Sequence, residues 1–483
     1  MIAYLAATIA VGLSFGRRQQ SSQQYFLGGR QFGVGLLLIS IVATETSTVT
    51  FLSVPGLAYR PGGNLGFLQL GLGLIIGRIL IALFLVPLYF SGQFISAYEV
   101  LQTRYGPAVQ RGAAGLFLLT RTLADGLRLF LTALLLHQLI GWEMTGAIVA
   151  LTVATLGYTC LGGMRAVVWT DVVQWCVYMT GALLALGLLA YQVQGGVTSW
   201  YALAAGAGKL QVWNLQWNWQ EPYTLWAGVI GGIFLTMATH GADQLTVQRL
   251  LCARSPTAAR LALIGSGLLV VVQFALFLLI GICLYVVQEQ GGLSLPADAV
   301  QRPDAVVGYY LVHGMPPGVT GLLIAAVLAA AMSTLSSSLN SSAGVVVRDF
   351  YCYWYPQASE SRQVWLGRWV TLVCSGCQAG VALLAVRYLE RSVVDAVLSI
   401  AGWTTGGILG LFLLGRRRRP PGTMAALAGM VIGLTTVGIL WWQTALAWPW
   451  WAPVGTCSTV VAALILERLF PVPPASPPMV LRS

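Results

Sequence analysis

The stretch Ala329-Ala-Ala-Met-Ser-Thr-Leu-Ser-Ser-Ser-Leu-Asn340 lies inside an apolar run that begins near Gly318 and ends before Arg348-Asp349. By length that run is a transmembrane helix. Its middle carries Ser333, Thr334, Ser336, Ser337 and Ser338, then Ser341 and Ser342. A helix that faces only lipid has no use for so many hydroxyls. Small residues let a second helix approach, and hydroxyls bond across the contact. Counted from Gly318 at roughly 1.5 Å per residue, Ser333 and Thr334 sit about 24 Å along the helix, near mid-membrane. Hard hydroxyl and carbonyl oxygens at that depth suit a small cation such as Na+. The other reading is helix packing, with each hydroxyl bonded back to its own helix.

Working outward, the composition sets the class. The chain has 483 residues, 57% hydrophobic and 8% charged, with a mean hydropathy of +0.77. Those values describe an integral, all-α polytopic membrane protein. The net charge of +11 is no nucleic-acid footprint, because the charges fall in short loops between apolar spans. Lys209 is the only lysine. Most of the eight cysteines fall inside spans and read as free thiols. There is no Walker A lysine motif, no zinc-ligand spacing and no nucleophile paired with a base, so the sequence points away from an enzyme.

Length and breaker residues mark about thirteen spans, near 1–15, 33–56, 65–90, 113–140, 145–163, 166–193, 223–248, 261–288, 318–346, 366–387, 393–415, 423–442 and 448–467. Met1–Phe15 has its positive charge, Arg17-Arg18, after the apolar run, so it reads as a short first span and not as a signal peptide. It is barely long enough to cross, which leaves an upstream start open. With the N-terminus outside, eighteen basic residues fall inside and five outside, so the positive-inside rule sets a cytoplasmic C-terminus in a plasma (inner) membrane. The tail Pro471–Pro478 reads as disordered. No soluble domain is expected, since the outside loops 195–222 and 289–317 are loop-sized.

Two spans carry interruptions. In span 2, Ala43-Thr-Glu-Thr-Ser-Thr-Val-Thr50 is polar and β-branched, and Pro55-Gly56 punctuates the exit. In span 7, Gly231-Gly232 is followed by Thr236, Thr239, His240 and Gly241. The two segments are five spans apart and enter from opposite faces. Broken helices at matched positions of two inverted halves point to a transporter with its site where the breaks meet. The alternative is ordinary glycine-rich packing.

Intramembrane charges complete the pattern: Glu45, Arg78, Asp171, and Arg121, Asp125 and Arg128 on one face of span 4. Such groups are costly in lipid and should pair inside the bundle. Asp125 can pair either arginine, which leaves one positive charge either for a substrate carboxylate or for an ion-pair network that positions span 4. His240 is open to a proton-carrying or a packing role.

Tyr158-Thr-Cys-Leu-Gly-Gly-Met-Arg-Ala-Val-Val-Trp-Thr-Asp-Val-Val-Gln174 resembles a signature segment of the sodium/solute symporter family, which includes sodium/proline, sodium/glucose, iodide and sialic-acid cotransporters. Thr50–Tyr59, Ala242–Leu251 and Ala329–Tyr351 resemble three further family segments in the same order. The resemblance implies a LeuT-like fold, with inverted five-helix repeats and broken helices. Its parts would be a first helix and loop (1–32), a first repeat (33–193), an extracellular loop (194–222), a second repeat (223–415), and peripheral helices with the tail (416–483). It implies secondary active transport, with inward Na+ flux coupled to uptake of a small organic solute by alternating access. Na+ ligands would be the carbonyls of Ala43, Thr46 and Ala330 and the hydroxyls of Ser333 and Thr334. Glu45, Ser47, Thr50, Gln69, Thr236, Thr239 and His240 are candidates for the substrate pathway. Arg78, Arg121, Asp125, Arg128 and Asp171 form the expected charge network. The partners are Na+, a solute that could be anionic or zwitterionic, and the bilayer. A proton-coupled or uncoupled transporter, or a non-transporting sensor or channel, is the competing reading.

Overall fold

The computed structural model describes residues 21–292, 303–316, 318–389 and 393–470, with Thr8, Ala10, Val11 and Ser14 ahead of them. The expected first span and the Pro-rich tail lie almost wholly outside the described residues. In chain order the principal helices are α1 (Val34–Glu45), α2 (Thr48–Tyr59), α3 (Leu68–Phe84), α4 (Pro107–Ile140), α5 (Met144–Cys160), α6 (Gly162–Gln192), α7 (Gly232–Gly241), α8 (Gln244–Leu251), α9 (Pro256–Glu289), α10 (Val319–Val345), α11 (Glu360–Tyr388), α12 (Val393–Gly415), α13 (Thr423–Gln443) and α14 (Trp451–Leu469).

Seven helical stretches among the described residues are long and apolar enough to cross a membrane, and the bent pair α1 and α2 makes an eighth. The count of about thirteen therefore exceeds the clear spans, for local reasons. α4 is long but carries Arg121, Asp125 and Arg128. Met144–Cys160, Ala227–Gly241 and Ser399–Gly415 are apolar but short.

Gly163, the second residue of α6, sits at the kink between α5 and α6. Its φ of 54° and ψ of −157° are open to glycine and closed to a residue with a Cβ. Span 2 breaks at Thr46-Ser47, where both residues are extended and the two helices meet at 66°. The cause is local. The Thr44 and Thr46 hydroxyls donate to Ser40 O and Val42 O, and the Thr50 hydroxyl accepts from Ser47 N, so side chains compete with the helical ladder. Pro55-Gly56 does not end the helix, contrary to the sequence reading. Pro55 sits inside α2, and its carbonyl packs on Gly281 of α9, where a Cβ would come within 2.0 Å of the oxygen.

Span 7 enters through a π-turn, Ala227–Gly231, runs as α7, and breaks at Ala242-Asp243. Its glycines do serve packing. A Cβ on Gly73 of α3 would meet Gly228 O at 2.4 Å, so these backbones touch directly.

α10 is the centre. Every residue from Leu323 to Val345 is buried. It packs most extensively against α5 and α6, and also against α1, α4, α8 and α11.

Candidate functional site

The break in span 2 frees carbonyls at the C-terminus of α1, since the last turn of a helix has no N–H partners of its own. α10 meets them there. The Thr334 hydroxyl lies 3.0 Å from Thr44 O, 3.5 Å from Thr46 O and 3.4 Å from Ala330 O. Thr334 is 2% exposed, and Ala43, Ala330 and Ser333 are fully buried. Hydroxyl and carbonyl oxygens of two distant helices thus converge at one point. Of the five expected ligands, Thr46, Ala330 and Thr334 share it. The Ser333 hydroxyl turns away and donates to Asp171 Oδ1 at 2.6 Å. Thr44, whose carbonyl makes the shortest contact, was not among the sequence candidates.

Thr46 is fixed through its side chain. Gln273 Nε2 donates to its hydroxyl at 2.5 Å, and Tyr178 donates to Gln273 Oε1 at 3.3 Å. Two residues on, at the start of α2, the Thr48 hydroxyl meets the Thr132 hydroxyl of α4 at 2.8 Å.

The intramembrane charges form separate groups, where a single network was expected. Asp171, fully buried on α6, accepts from Ser40 at 2.5 Å, Ser333 at 2.6 Å and Arg249 at 3.0 Å. Arg249 also bonds Ser40, the carbonyl of Leu245, and Ser337. This group staples α1, α6, α8 and α10. Sequence reading placed Arg249 in a cytoplasmic loop and missed it. The available signal was the Asp243–Arg249 segment, where Asp243, Gln244, Gln248 and Arg249 stand beside Leu245 and Val247 and demand internal partners if the segment is helical and buried.

Glu45 ends α1. A carboxylate is unfavourable at a helix C-terminus, so it needs a cation close by. Arg78, fully buried on α3, supplies it. Arg78 also donates to Ser266 at 2.6 Å, and His240 Nε2 stands 3.4 Å from Glu45 and 3.1 Å from Arg78. The other ring nitrogen of His240 meets the Thr239 hydroxyl at 2.9 Å.

Of the two mid-span arginines on α4, Arg121 and Arg128, neither is left over. Asp125 pairs with Arg128, while Arg121 reaches Asp243 at 2.9 Å. The expected spare charge is therefore neutralised from the break of span 7, which sequence spacing could not reveal. Of the pathway candidates, Ser47 and Thr50 stand at the start of α2, beside the break. Thr236 is buried and packs against Gly77. Gln69 is displaced from the group: its amide bonds Tyr223 O at 3.0 Å and accepts from Asn214 N at 3.0 Å, tying down a loop.

Comparison with known proteins gives these features a context. A model of the sodium:solute symporter family matches residues 25–433. The chain is 29% identical over 473 residues to the sodium/sialic acid symporter SiaT of Proteus mirabilis, covering 97% of this chain and 94% of that one. It is 30% identical over 434 residues to the human sodium-coupled monocarboxylate transporter 1, covering 89% of this chain and 70% of the other. Among solved structures, a substrate-bound outward-open Na+-coupled sialic acid symporter superposes with a TM-score of 0.89 at 28% identity, over 97% of both chains. The nucleobase-cation symporter MHP1, at 12% identity and a TM-score of 0.55, shares the fold. The chain belongs to the sodium:solute symporter family and is a Na+-coupled secondary transporter that carries a small organic solute by alternating access.

Proposed function

We propose that the solute is a small organic anion, and that Na+ is held where the break between α1 and α2 meets α10. The observation that carries the Na+ site is the Thr334 hydroxyl within 3.5 Å of carbonyls from both helices. Its ligands are the carbonyls of Ala43, Thr46 and Ala330 and the Thr334 hydroxyl, with the Thr44 carbonyl as a further oxygen, and the Ser333 hydroxyl joins them by rotating off Asp171. When Na+ arrives, the Thr334 proton turns aside and the oxygen lone pairs face the ion. Na+ then bridges a half-helix that moves and a helix that stays, so its binding and the solute's favour one conformation.

The anionic class follows from the cations. The relatives are named for sialic acid and monocarboxylates, both of which carry a carboxylate. Arg128 has a side chain 19% exposed, against 0% for Arg78, 7% for Arg121 and 1% for Arg249. Arg128 is the cation a carboxylate can reach, exchanging with Asp125. Glu45, Ser47, Thr50, Thr236, Thr239 and His240 line the approach in this reading.

The same reading keeps thirteen spans, with the three short apolar helices, the charged α4 and the first segment, 1–15, counted as crossings beside the seven clear spans and the bent pair. The N-terminus is outside and the C-terminus cytoplasmic, as the basic residues argue. The repeats are 33–193 and 223–415, joined by the extracellular segment 194–222.

One experiment tests site and solute class together. Purified protein is screened by thermal shift against carboxylates and neutral sugars, with and without Na+. Carboxylates should raise the melting temperature only when Na+ is present. Ser333→Ala with Thr334→Ala should remove that dependence and lower the ligand-free melting temperature, because Ser333 also bonds Asp171, whereas Thr334→Ala alone should remove it with little such loss. Unchanged apparent Na+ affinity in the double variant would sink the ion site, and Na+-dependent shifts from sugars alone would sink the anion.

A further inference from the structure

The only lysine of the chain does not sit in solvent. Lys209 follows the short helix Gly196–Gly206 in the segment that leads to span 7, and it is 2% exposed. Its Nζ donates to Ala58 O at 2.9 Å, Tyr59 O at 2.9 Å and Arg60 O at 2.7 Å. Those are the carbonyls at the C-terminus of α2, the half-helix that begins at the break. The last carbonyls of a helix lack partners and carry its negative dipole end, so a cation with several donors is the matching group. The ammonium also stands 4.3 Å from the centre of the Tyr285 ring on α9.

The surrounding backbone repeats the attachment. Leu65 N donates to Gln211 O at 3.0 Å, and Asn214 N donates to Gln69 Oε1 at 3.0 Å. Residues 209–214 are therefore bolted to the far end of α2 and to the start of α3.

We propose that Lys209 is a positioning residue for Na+ coupling: it locks the segment 207–214 onto the C-terminal end of α2, so that loop and half-helix move as one body and hold the other end of α2, at the break, in register. The proposal rests on the Na+ site above for its effect on coupling, but the lock itself does not. α2 has twelve residues, about 18 Å at roughly 1.5 Å each, so a loose far end swings the Ser47 end by ångströms. The choice of lysine in a chain that elsewhere uses arginine follows from shape. Three converging carbonyls take a compact three-donor ammonium, whereas a guanidinium is a planar fork that cannot aim three N–H groups at one helix end. Burial and the neighbouring Arg60 push the Lys209 pKa down to about 8, which leaves it protonated at pH 7.

A single lysine makes the test clean. Purified wild-type protein is treated with an amine-acylating reagent, and modification at residue 209 is followed by mass spectrometry. The lowered pKa on its own would speed acylation, so slow labelling reports the lock. Labelling should be at least tenfold slower in the folded protein than after unfolding in detergent. In proteoliposomes, Lys209→Met should raise the Na+ concentration for half-maximal uptake at least threefold, with maximal uptake changed less. Lys209→Arg should resemble Lys209→Met. Fast labelling of the folded protein overturns the lock. So does Lys209→Arg that matches wild type, because charge alone would then suffice. Loss of maximal uptake in Lys209→Met at unchanged Na+ half-saturation would reduce Lys209 to a folding role and overturn the proposal. A failure of the Na+ site shows up separately, in the Ser333/Thr334 variant, and leaves the labelling result standing.

Discussion

At the break between α1 and α2, the freed carbonyls of Thr44 and Thr46 face a hydroxyl on another helix. At the break between α7 and α8, the freed N–H of Leu245 meets the carboxylate of Asp243 at 2.8 Å, and Arg121 neutralises that carboxylate at 2.9 Å. The second break is closed by charge. A carboxylate at a helix N-terminus suits the dipole, and the ion pair across to α4 holds it there. At the first break the freed carbonyls are met by a rotatable hydroxyl proton, and the charge beside it, Glu45, is at the wrong helix end and leans on Arg78. A break filled by a buried ion pair is a fixed corner. A break whose carbonyls depend on one hydroxyl can trade that hydrogen bond for an ion.

That contrast can be broken most forcefully at the corner. Asp243→Ala leaves Arg121 and Arg128 with Asp125 as the one carboxylate between them, so a buried charge goes unmatched, and such losses cost about 3–5 kcal/mol. The variant should melt well below wild type and yield little folded protein in detergent. Arg121→Met with Asp243→Asn, which removes both charges, should recover most of the stability. If Asp243→Ala melts like wild type, the ion pair does not fix the corner.

A smaller effect is expected at the first break. Gln273→Leu removes the donor to the Thr46 hydroxyl without touching a carbonyl. A hydrogen bond of this kind contributes about 0.5–1.5 kcal/mol, so Na+ half-saturation should rise about two- to tenfold. Folding should survive. A melting loss as large as that of Asp243→Ala would mean that both breaks are structural corners.

The sequence exposed the breaks because hydroxyls and glycines in apolar runs have few other uses. Ala43–Thr50 and Gly231–Gly241 were legible, and so was the hydroxyl-rich face of α10. The pairings were not. Spacing on α4 offered Asp125 two arginines, but Arg121 is claimed by Asp243, 122 positions away, which no local pattern encodes. Arg249 looked like a loop charge because it borders Arg254 and Arg260, whereas folding carries it to Asp171. Ser333 and Thr334 are neighbours in sequence, but 100° per residue points one at Asp171 and the other at the break. Span counting overran the clear helices where charge lowers hydropathy, as in α4, or where an apolar helix is short, as in α5.

The gentlest test lies at the first residue past the break. The Thr132 hydroxyl donates to Arg128 O at 2.8 Å, so in its 2.8 Å contact with Thr48 it accepts, and Thr48 is the donor. Thr48→Val therefore removes one interhelical hydrogen bond and leaves Thr132 satisfied by its own helix. Thr132→Val also leaves the Thr48 donor without its partner. Interhelical bonds of this type average about 0.6 kcal/mol, so Thr48→Val should shift Na+ half-saturation less than about threefold, with Thr132→Val somewhat larger. The double variant should add little to Thr132→Val alone, because both changes remove the same bond. Should Thr48→Val exceed Gln273→Leu, the hold of α4 on α2 would outrank the grip on Thr46. The exchange of hydroxyl for ion would then be governed from the half-helix rather than from the break itself.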